Sequence, residues 1–465
     1  MEIFGSIRLR RMVSRAVVSL TALAVLFTLT SCTSANVPLA TAGQPPVLQW
    51  VATWTAALEN AASSGANPGG SEQTFRFVVL PTTAGAQERV HFSNLLGKTP
   101  VTIGAARLSA AEGAGPAIDT SRDGALTFNG SSSITLAPGQ ETVSDPVQIS
   151  YQYGEELAVS VYLKGSFGAL VENSSEFQSN FATNSGGGNT TTDPTGSSFT
   201  QTTVGEWFMI TAVDVYGPYQ GTVAVFGSSS VVGHNSDYGN TNSYPVFNVQ
   251  VPGQISDRPS DWLARQLRAA GYAMGVANAG ATGDPAGEDG VTASGLSAIA
   301  GVDRMQHDVL SLAGIKAVVI YFGGVDLRGD CVPAANVEAS LTNMVQQAQK
   351  AGVRVILATI PPSEYCTSSS ADLVPSADNP YAGDLNPGPE NPGSTQRRMV
   401  NNWIRSSGAA LPGVVAIADF DAVMAYPAHP DFLIPNYVAG DNFHPNGPSY
   451  GIQSAAIPLS SILGK

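Results

Sequence analysis

From residue 221 onward, short apolar runs alternate with amphipathic helical patterns, and this alternation constrains the fold more than any other feature of the chain. Val223-Ala224-Val225-Phe226 has the length and composition of a buried strand. Trp262 to Ala270 reads as a helix, Gly275 to Ala279 as a second strand, and Lys316 to Phe322 as a strongly apolar third. Val337, Leu341, Met344, Val345 and Ala348 mark one helical face, stopped by Gly352. Val353 to Ile360 is a fourth strand, closed by Pro361-Pro362. Met399, Val400, Trp403 and Ile404 mark another helix, and Val414 to Phe420 a fifth strand. Such alternation predicts a parallel sheet covered by helices on both faces. Ligands of such sheets sit beyond the carboxyl ends of the strands, so chemistry is sought in the segments after each strand.

The preceding region has a different texture. From 49 to 217 the pattern is all β, with short strands punctuated by Gly, Pro and Asn, which suggests a sandwich. Expected strands include Thr74 to Leu80, Arg89 to Ser93, Val101 to Ile103, Ala125 to Phe128 and Ser133 to Leu136. Val147 to Ser150, Leu157 to Leu163 and Trp207 to Val215 complete the set. Asn184 to Gln201 is rich in Ser, Gly, Thr and Asn without periodicity, and reads as a long mobile loop. A length of 465 residues accommodates two domains, here 49–217 and 218–465.

The N-terminus reads as a targeting segment. Arg8, Arg10, Arg11 and Arg15 precede the apolar run Ala16 to Leu29, an n-region followed by an h-region. The run ends Leu29-Thr30-Ser31-Cys32, which resembles the bacterial lipobox. Residues 1–32 are thus expected to be a lipoprotein signal peptide that leaves Cys32 lipidated, with 33–48 as a tether. The predicted location is the extracytoplasmic membrane surface, held by a lipid anchor. A net charge of −14 repels phosphate backbones and argues against nucleic acid as a partner.

Four segments could carry chemistry. Gly227-Ser228-Ser229-Ser230-Val231-Val232-Gly233 follows the first α/β strand, where a Ser on a tight strand-to-helix turn exposes its hydroxyl. Asn278-Ala279-Gly280-Ala281-Thr282-Gly283-Asp284 follows the second strand, and Phe322-Gly323-Gly324-Val325-Asp326 the third. Asp441-Asn442-Phe443-His444 lies near the end, where an Asp three residues before a His can fix the imidazole tautomer. Ser, Gly, Gly-x-x-Asp and Asp-x-x-His in this order resemble the SGNH (GDSL-type) hydrolases. Thr53-Trp54, Arg89 to Asn94, Thr102 to Ala106 and Val143-Ser144-Asp145-Pro146 resemble the N-terminal β-domain of one bacterial subgroup.

The resemblance implies a flavodoxin-like five-stranded sheet and a serine esterase needing no cofactor. It assigns Ser229 as nucleophile, His444 as general base and Asp441 as the residue orienting it. The Gly283 and Ser229 N–H groups become oxyanion donors. The third donor of the family, an Asn, is replaced by Val325, and the Asp before the nucleophile by Ser228. Val231 stands where a Thr is usual. Ser228, Ser230 and Asn278 are candidate replacement donors. The implied substrate is an ester, either a glycan acetyl ester or a lipid acyl ester. The alternative is a catalytically weakened module that binds glycan or cell-envelope polymer.

Other polar residues receive plainer readings. His234 is expected in a solvated loop, His307 on a helix surface, and Arg328-Gly329-Asp330 in a turn. Asp419 and Asp421 close a strand and are placed to cap the next turn. No spacing suggests a metal site. Cys331 and Cys366 follow neighbouring parallel strands, which favours a disulfide between them.

Overall fold

The computed structural model describes residues 45–59, 69–113, 115–236, 257–287, 290–291, 297–328, 332–362, 392–439 and 444–464. Cys32, Cys331, Cys366 and Asp441, with the Gly329-Asp330 pair, lie outside the described residues.

Among the described residues, eleven strands come first: β1 (Val47–Thr55), β2 (Gly70–Val79), β3 (Glu88–Ser93), β4 (Val101–Ala111), β5 (Ile118–Leu126), β6 (Ile134–Leu136), β7 (Glu141–Val143), β8 (Leu157–Phe167), β9 (Glu172–Ala182), β10 (Gln201–Phe208) and β11 (Ile210–Tyr219). They build two antiparallel sheets, ordered β1-β11-β3-β7 and β10-β9-β2-β8-β4-β5, with β6 beside β4. Trp54, Phe75, Phe77, Phe92, Trp207 and Phe208 are buried in one shared core. Trp54 and Trp207 meet edge to face at 5.0 Å, a geometry favoured by the ring quadrupoles.

Three expectations for this region need correction. Trp207 to Val215 is two strands, because Met209 turns the backbone with φ 64° between β10 and β11. Val147 to Ser150 forms only an isolated bridge from Val147 to Glu88. The Glu88 carboxylate accepts from the Ile149 N–H at 3.1 Å, so a side chain stands where a ladder partner would be. The segment from Asn184 carries no strand before β10, yet it is fastened rather than loose. The buried Arg76 guanidinium donates to the carbonyls of Thr191 and Asp193. The Asp193 carboxylate accepts from the N–H groups of Thr195, Gly196 and Ser198.

The α/β region follows as β12 (Gly221–Gly227), α1 (Ser229–Val232), α2 (Pro259–Ala269), β13 (Met274–Gly280), α3 (Gly301–Met305), β14 (Ile315–Tyr321), α4 (Gly324–Arg328), α5 (Ala334–Lys350), β15 (Arg354–Ala358), α6 (Pro392–Trp403), β16 (Val414–Ala418), α7 (Phe420–Met424) and α8 (Gly447–Ala455). The five strands pair in parallel in the order β13-β12-β14-β15-β16, which is the flavodoxin-like 2-1-3-4-5 arrangement. Met305, Val337, Leu341 and Met344 cover one face. Leu263, Leu267, Phe420 and Ile457 cover the other. β12 and β13 are buried along their whole length, which is why β12 reads as the apolar run Val223–Phe226 and β13 is built mostly of small residues around the buried Asn278.

Residues 41–465 form one compact unit. β1 lies along β13, the edge strand of the parallel sheet. A Cβ on Gly275 would come within 2.1 Å of the Ala52 carbonyl oxygen, so only glycine allows this approach. Thr55 Oγ1 donates to the Asn278 carbonyl at 2.7 Å. The Val276 N–H donates to Thr82 Oγ1 at 2.9 Å.

Glu88 is fully buried, and burial pushes its carboxyl from 4.5 up to about 8. The unfolded chain releases this proton near its ordinary value, whereas the folded chain keeps it. Folded protein therefore binds more protons between these limits, and stability falls as pH rises from about 4.5 to 8, by up to about 1.4 kcal/mol per pH unit. Glu88→Gln should flatten the decline measured by urea unfolding across this window. An identical slope in the two proteins would sink the assignment.

Candidate active site

β12 ends at Gly227, where a Cβ would lie 2.3 Å from the Tyr321 carbonyl oxygen and 2.5 Å from Val231 Cγ2. The chain then turns through Ser228 into the single helical turn α1 and leaves at Gly233, with φ 97°. This tight strand-to-helix turn puts Ser229 at the carboxyl edge of the sheet. Its Oγ lies 2.8 Å from His444 Nε2, with only 7% and 8% of the two residues exposed. Ser229 and His444 are 215 positions apart in sequence, so the fold alone brings them together.

His444 is held by its own backbone and by a ring. The Ala439 N–H donates to the His444 carbonyl, and the Asn446 N–H to the Tyr437 carbonyl. Asn446 Oδ1 caps α8 by accepting from the Ser449 N–H. The His234 ring stacks on that of His444, with centroids 5.1 Å apart and 24° between planes. His234 Nε2 lies 3.1 Å from Thr282 Oγ1, and Tyr450 donates its hydroxyl to the His234 carbonyl. His234 thus belongs to the site rather than to a solvated loop.

Gly283 takes φ 78°, the left-handed region open to glycine, directly after Thr282. The Thr282 N–H donates to Glu59 Oε1 at 2.6 Å, so the β region helps hold this loop. Val325 lines a small pocket with Ser228, Ser229, Ser230, Tyr321 and Pro361. Ser228 and Ser230 face this pocket too. Asn278 does not serve as a spare donor. Its Nδ2 donates to the Val231 carbonyl and to Ser260 Oγ, and its Oδ1 accepts from the Gly280 N–H. Asn278 instead clamps α1 against β13.

Arg304 escaped the sequence reading because a charge on a short helix ordinarily faces water. It is only 4% exposed. Its guanidinium donates to the carbonyls of Gly227 and Ala279, which precede the Ser229 turn and the Gly283 loop. Asp284 at 2.7 Å and Asp308 at 2.9 Å balance the charge, and the guanidinium sits 4.6 Å from the Phe226 ring centroid. Burial pushes the Asp284 carboxyl up to about 7, against the pull of Arg304. His307 is not a free surface residue either. It bridges Asp308 at 2.6 Å to Glu141 of β7 at 2.9 Å, and these carboxylates raise it to about 10. Asp419 caps α7 as expected, accepting from the Ala422 N–H. Among the described residues no group of three His, Cys, Asp or Glu is arranged to hold a metal ion.

Arg304→Met should cost roughly 3–5 kcal/mol, because two carboxylates lose their buried partner. Arg304→Lys should recover only part, since an ammonium cannot span the same fork of acceptors. Urea unfolding measures both; a loss below about 1 kcal/mol in the Met variant would contradict the role given to this pair.

Residues 225–452 match the model of the GDSL-like Lipase/Acylhydrolase family. The search of curated proteins finds no match. Among solved structures, the chain is similar to a carbohydrate acetylesterase family member from Sinorhizobium meliloti. Identity is 16%, coverage 53% of this chain and 100% of that one, and the TM-score 0.35. A family two carbohydrate esterase from Clostridium thermocellum, solved with cellohexaose, is 11% identical over 86% of this chain and 96% of its own, with TM-score 0.33. A putative lipolytic protein of the G-D-S-L family from Desulfitobacterium hafniense is 16% identical over 50% of this chain and 96% of its own, with TM-score 0.31.

Proposed function

We propose that the chain hydrolyses carboxylic esters through an acyl-enzyme formed on Ser229. The observation that carries this reading is the 2.8 Å approach of Ser229 Oγ to His444 Nε2 inside the acylhydrolase domain. In the mechanism, the Ser229 hydroxyl donates to His444 Nε2 and passes it the proton as Oγ attacks the ester carbonyl. The reading gives Asp441 the role of orienting the imidazole through its other ring nitrogen. The N–H groups of Ser229 and Gly283 take the developing oxyanion. His444 returns the proton to the departing alcohol, and water repeats the sequence on the acyl group.

The pocket at Ser229 is small among the described residues and is walled by Tyr321, Pro361, Pro362 and Leu433. This supports a short acyl group, with an acetylated polysaccharide as the first substrate and a lipid acyl ester as the second. A fluorophosphonate probe tests the nucleophile: it should label the wild type and not Ser229→Ala. Folded wild type that resists labelling would sink the esterase reading in favour of a module that binds glycan or envelope polymer without cleavage. His444→Ala should lower kcat on aryl acetates about 10⁴-fold.

Val325 lines the pocket at Ser229, and its apolar side chain stands where the resemblance puts an oxyanion-binding amide. Val325→Asn is expected to raise kcat roughly tenfold or more with KM little changed. Equal or lower kcat in a folded Val325→Asn protein would mean that other donors already fill the hole.

The chain is also proposed to be exported and anchored through lipidated Cys32. The four arginines, apolar run and Leu-Thr-Ser-Cys ending support this. In a bacterial host, radiolabelled palmitate should enter the protein and be lost in Cys32→Ser; labelling that persists would overturn the anchor.

A further inference from the structure

A second cavity, sharing no lining residue with the pocket at Ser229, opens at the seam between the β region and the α/β region. Its volume is about 320 Å³, within the size range of small-molecule sites. One wall is the outer face of the four-stranded sheet, supplying His91, Asp214, Thr142 and Thr211. The opposite wall is the segment from His307 to Ala313, including Asp308 and Ser311. Phe92, Val143 and Leu312 add apolar patches between these polar groups.

The charges here are matched. Asp214 Oδ2 lies 2.8 Å from both Arg89 Nε and His91 Nε2. Asp308 is shared by Arg304 and His307, and Glu141 is paired with His307. Buried carboxylates paired in this way leave no net field to draw in an ion, while a chain of net charge −14 repels anions. What the cavity offers is a dense set of hydroxyl, imidazole and carboxylate groups broken by apolar patches. That combination suits a neutral ligand carrying many hydroxyls on an apolar frame.

An aromatic platform adjoins the same wall. In β1 and β11, Ala52 is opposite Asp214 and Trp50 is opposite Tyr216, two residues further along the same sheet face. The two rings lie 5.4 Å apart, and Tyr216 is 38% exposed. The Arg89 guanidinium that pairs with Asp214 lies 4.5 Å from the Trp50 ring centroid, so platform and cavity wall are physically continuous. Aromatic faces beside hydrogen-bonding side chains are the means by which a sugar ring is held, its C–H face on the ring and its hydroxyls on the polar groups.

We propose that this seam is a binding site for neutral saccharides, separate from the ester-hydrolysing centre, with Trp50 and Tyr216 as the platform and Asp214, His91 and Thr142 as the hydroxyl partners. The proposal does not depend on the esterase reading, because none of these residues touches Ser229 or His444.

The test uses the full chain carrying Ser229→Ala, so that turnover and seam binding are not confused. Calorimetric titration with cellotetraose and with xylotetraose should give saturable binding of at least one of them. Tyr216→Ala, which removes an exposed ring, should weaken it tenfold or more, and Asp214→Asn should do the same. Trigalacturonate, an acidic saccharide, should bind more weakly than the neutral probe. Failure of both neutral tetrasaccharides to bind, or binding that survives Tyr216→Ala and Asp214→Asn unchanged, overturns the proposal. Preference for trigalacturonate overturns its claim of a neutral ligand.

Discussion

The Arg304 guanidinium reaches the carbonyl oxygens at the ends of two adjacent strands, and the loops leaving those strands carry Ser229 and Gly283. A buried cation costs several kcal/mol unless it is paired and fully hydrogen-bonded. Here Asp284 and Asp308 supply the charge, and the strand-end carbonyls supply the acceptors. The loops that carry Ser229 and Gly283 are therefore set in part from below, by a buried charge. Asp308 continues to His307, and His307 to Glu141 on β7, so the same chain of contacts fastens the parallel sheet to the sandwich.

The β region is more than an appendage to this centre. Glu59 fixes the Thr282 N–H, Thr55 fixes the carbonyl of Asn278, and Asn278 in turn holds the Val231 carbonyl in the Ser229 turn. Pre-placed groups of this kind spare the enzyme the reorganisation that would otherwise accompany charge development. A mutation in β1 can thus reach the loops around Ser229 without touching them directly.

The parallel sheet was legible because the middles of β12, β14 and β15 are buried and leave short apolar runs between helical patterns. Ser229 and His444 were singled out by the order of short motifs, since no single motif identifies either, and the fold brings the two side chains together. Arg304, His307 and His234 were not legible, because a charged or imidazole side chain near a polar loop ordinarily meets water, and only tertiary contacts gave these three partners. Asn278 was misread for the opposite reason. Its amide looked available in sequence, but the framework uses both ends of it. The strand boundaries failed where single residues override a run, as Met209 does with its positive φ and as Glu88 does by taking the Ile149 N–H with a side chain.

Thr82 carries one further consequence. β13 is the outermost strand of its sheet, and an open strand edge is a template on which a second chain can pair. The Thr82 hydroxyl accepts from the Val276 N–H in the middle of that edge, and β1 lies close against it across Gly275. One side-chain oxygen and one glycine thereby let the β region cover part of an edge that would otherwise stand open as a pairing template.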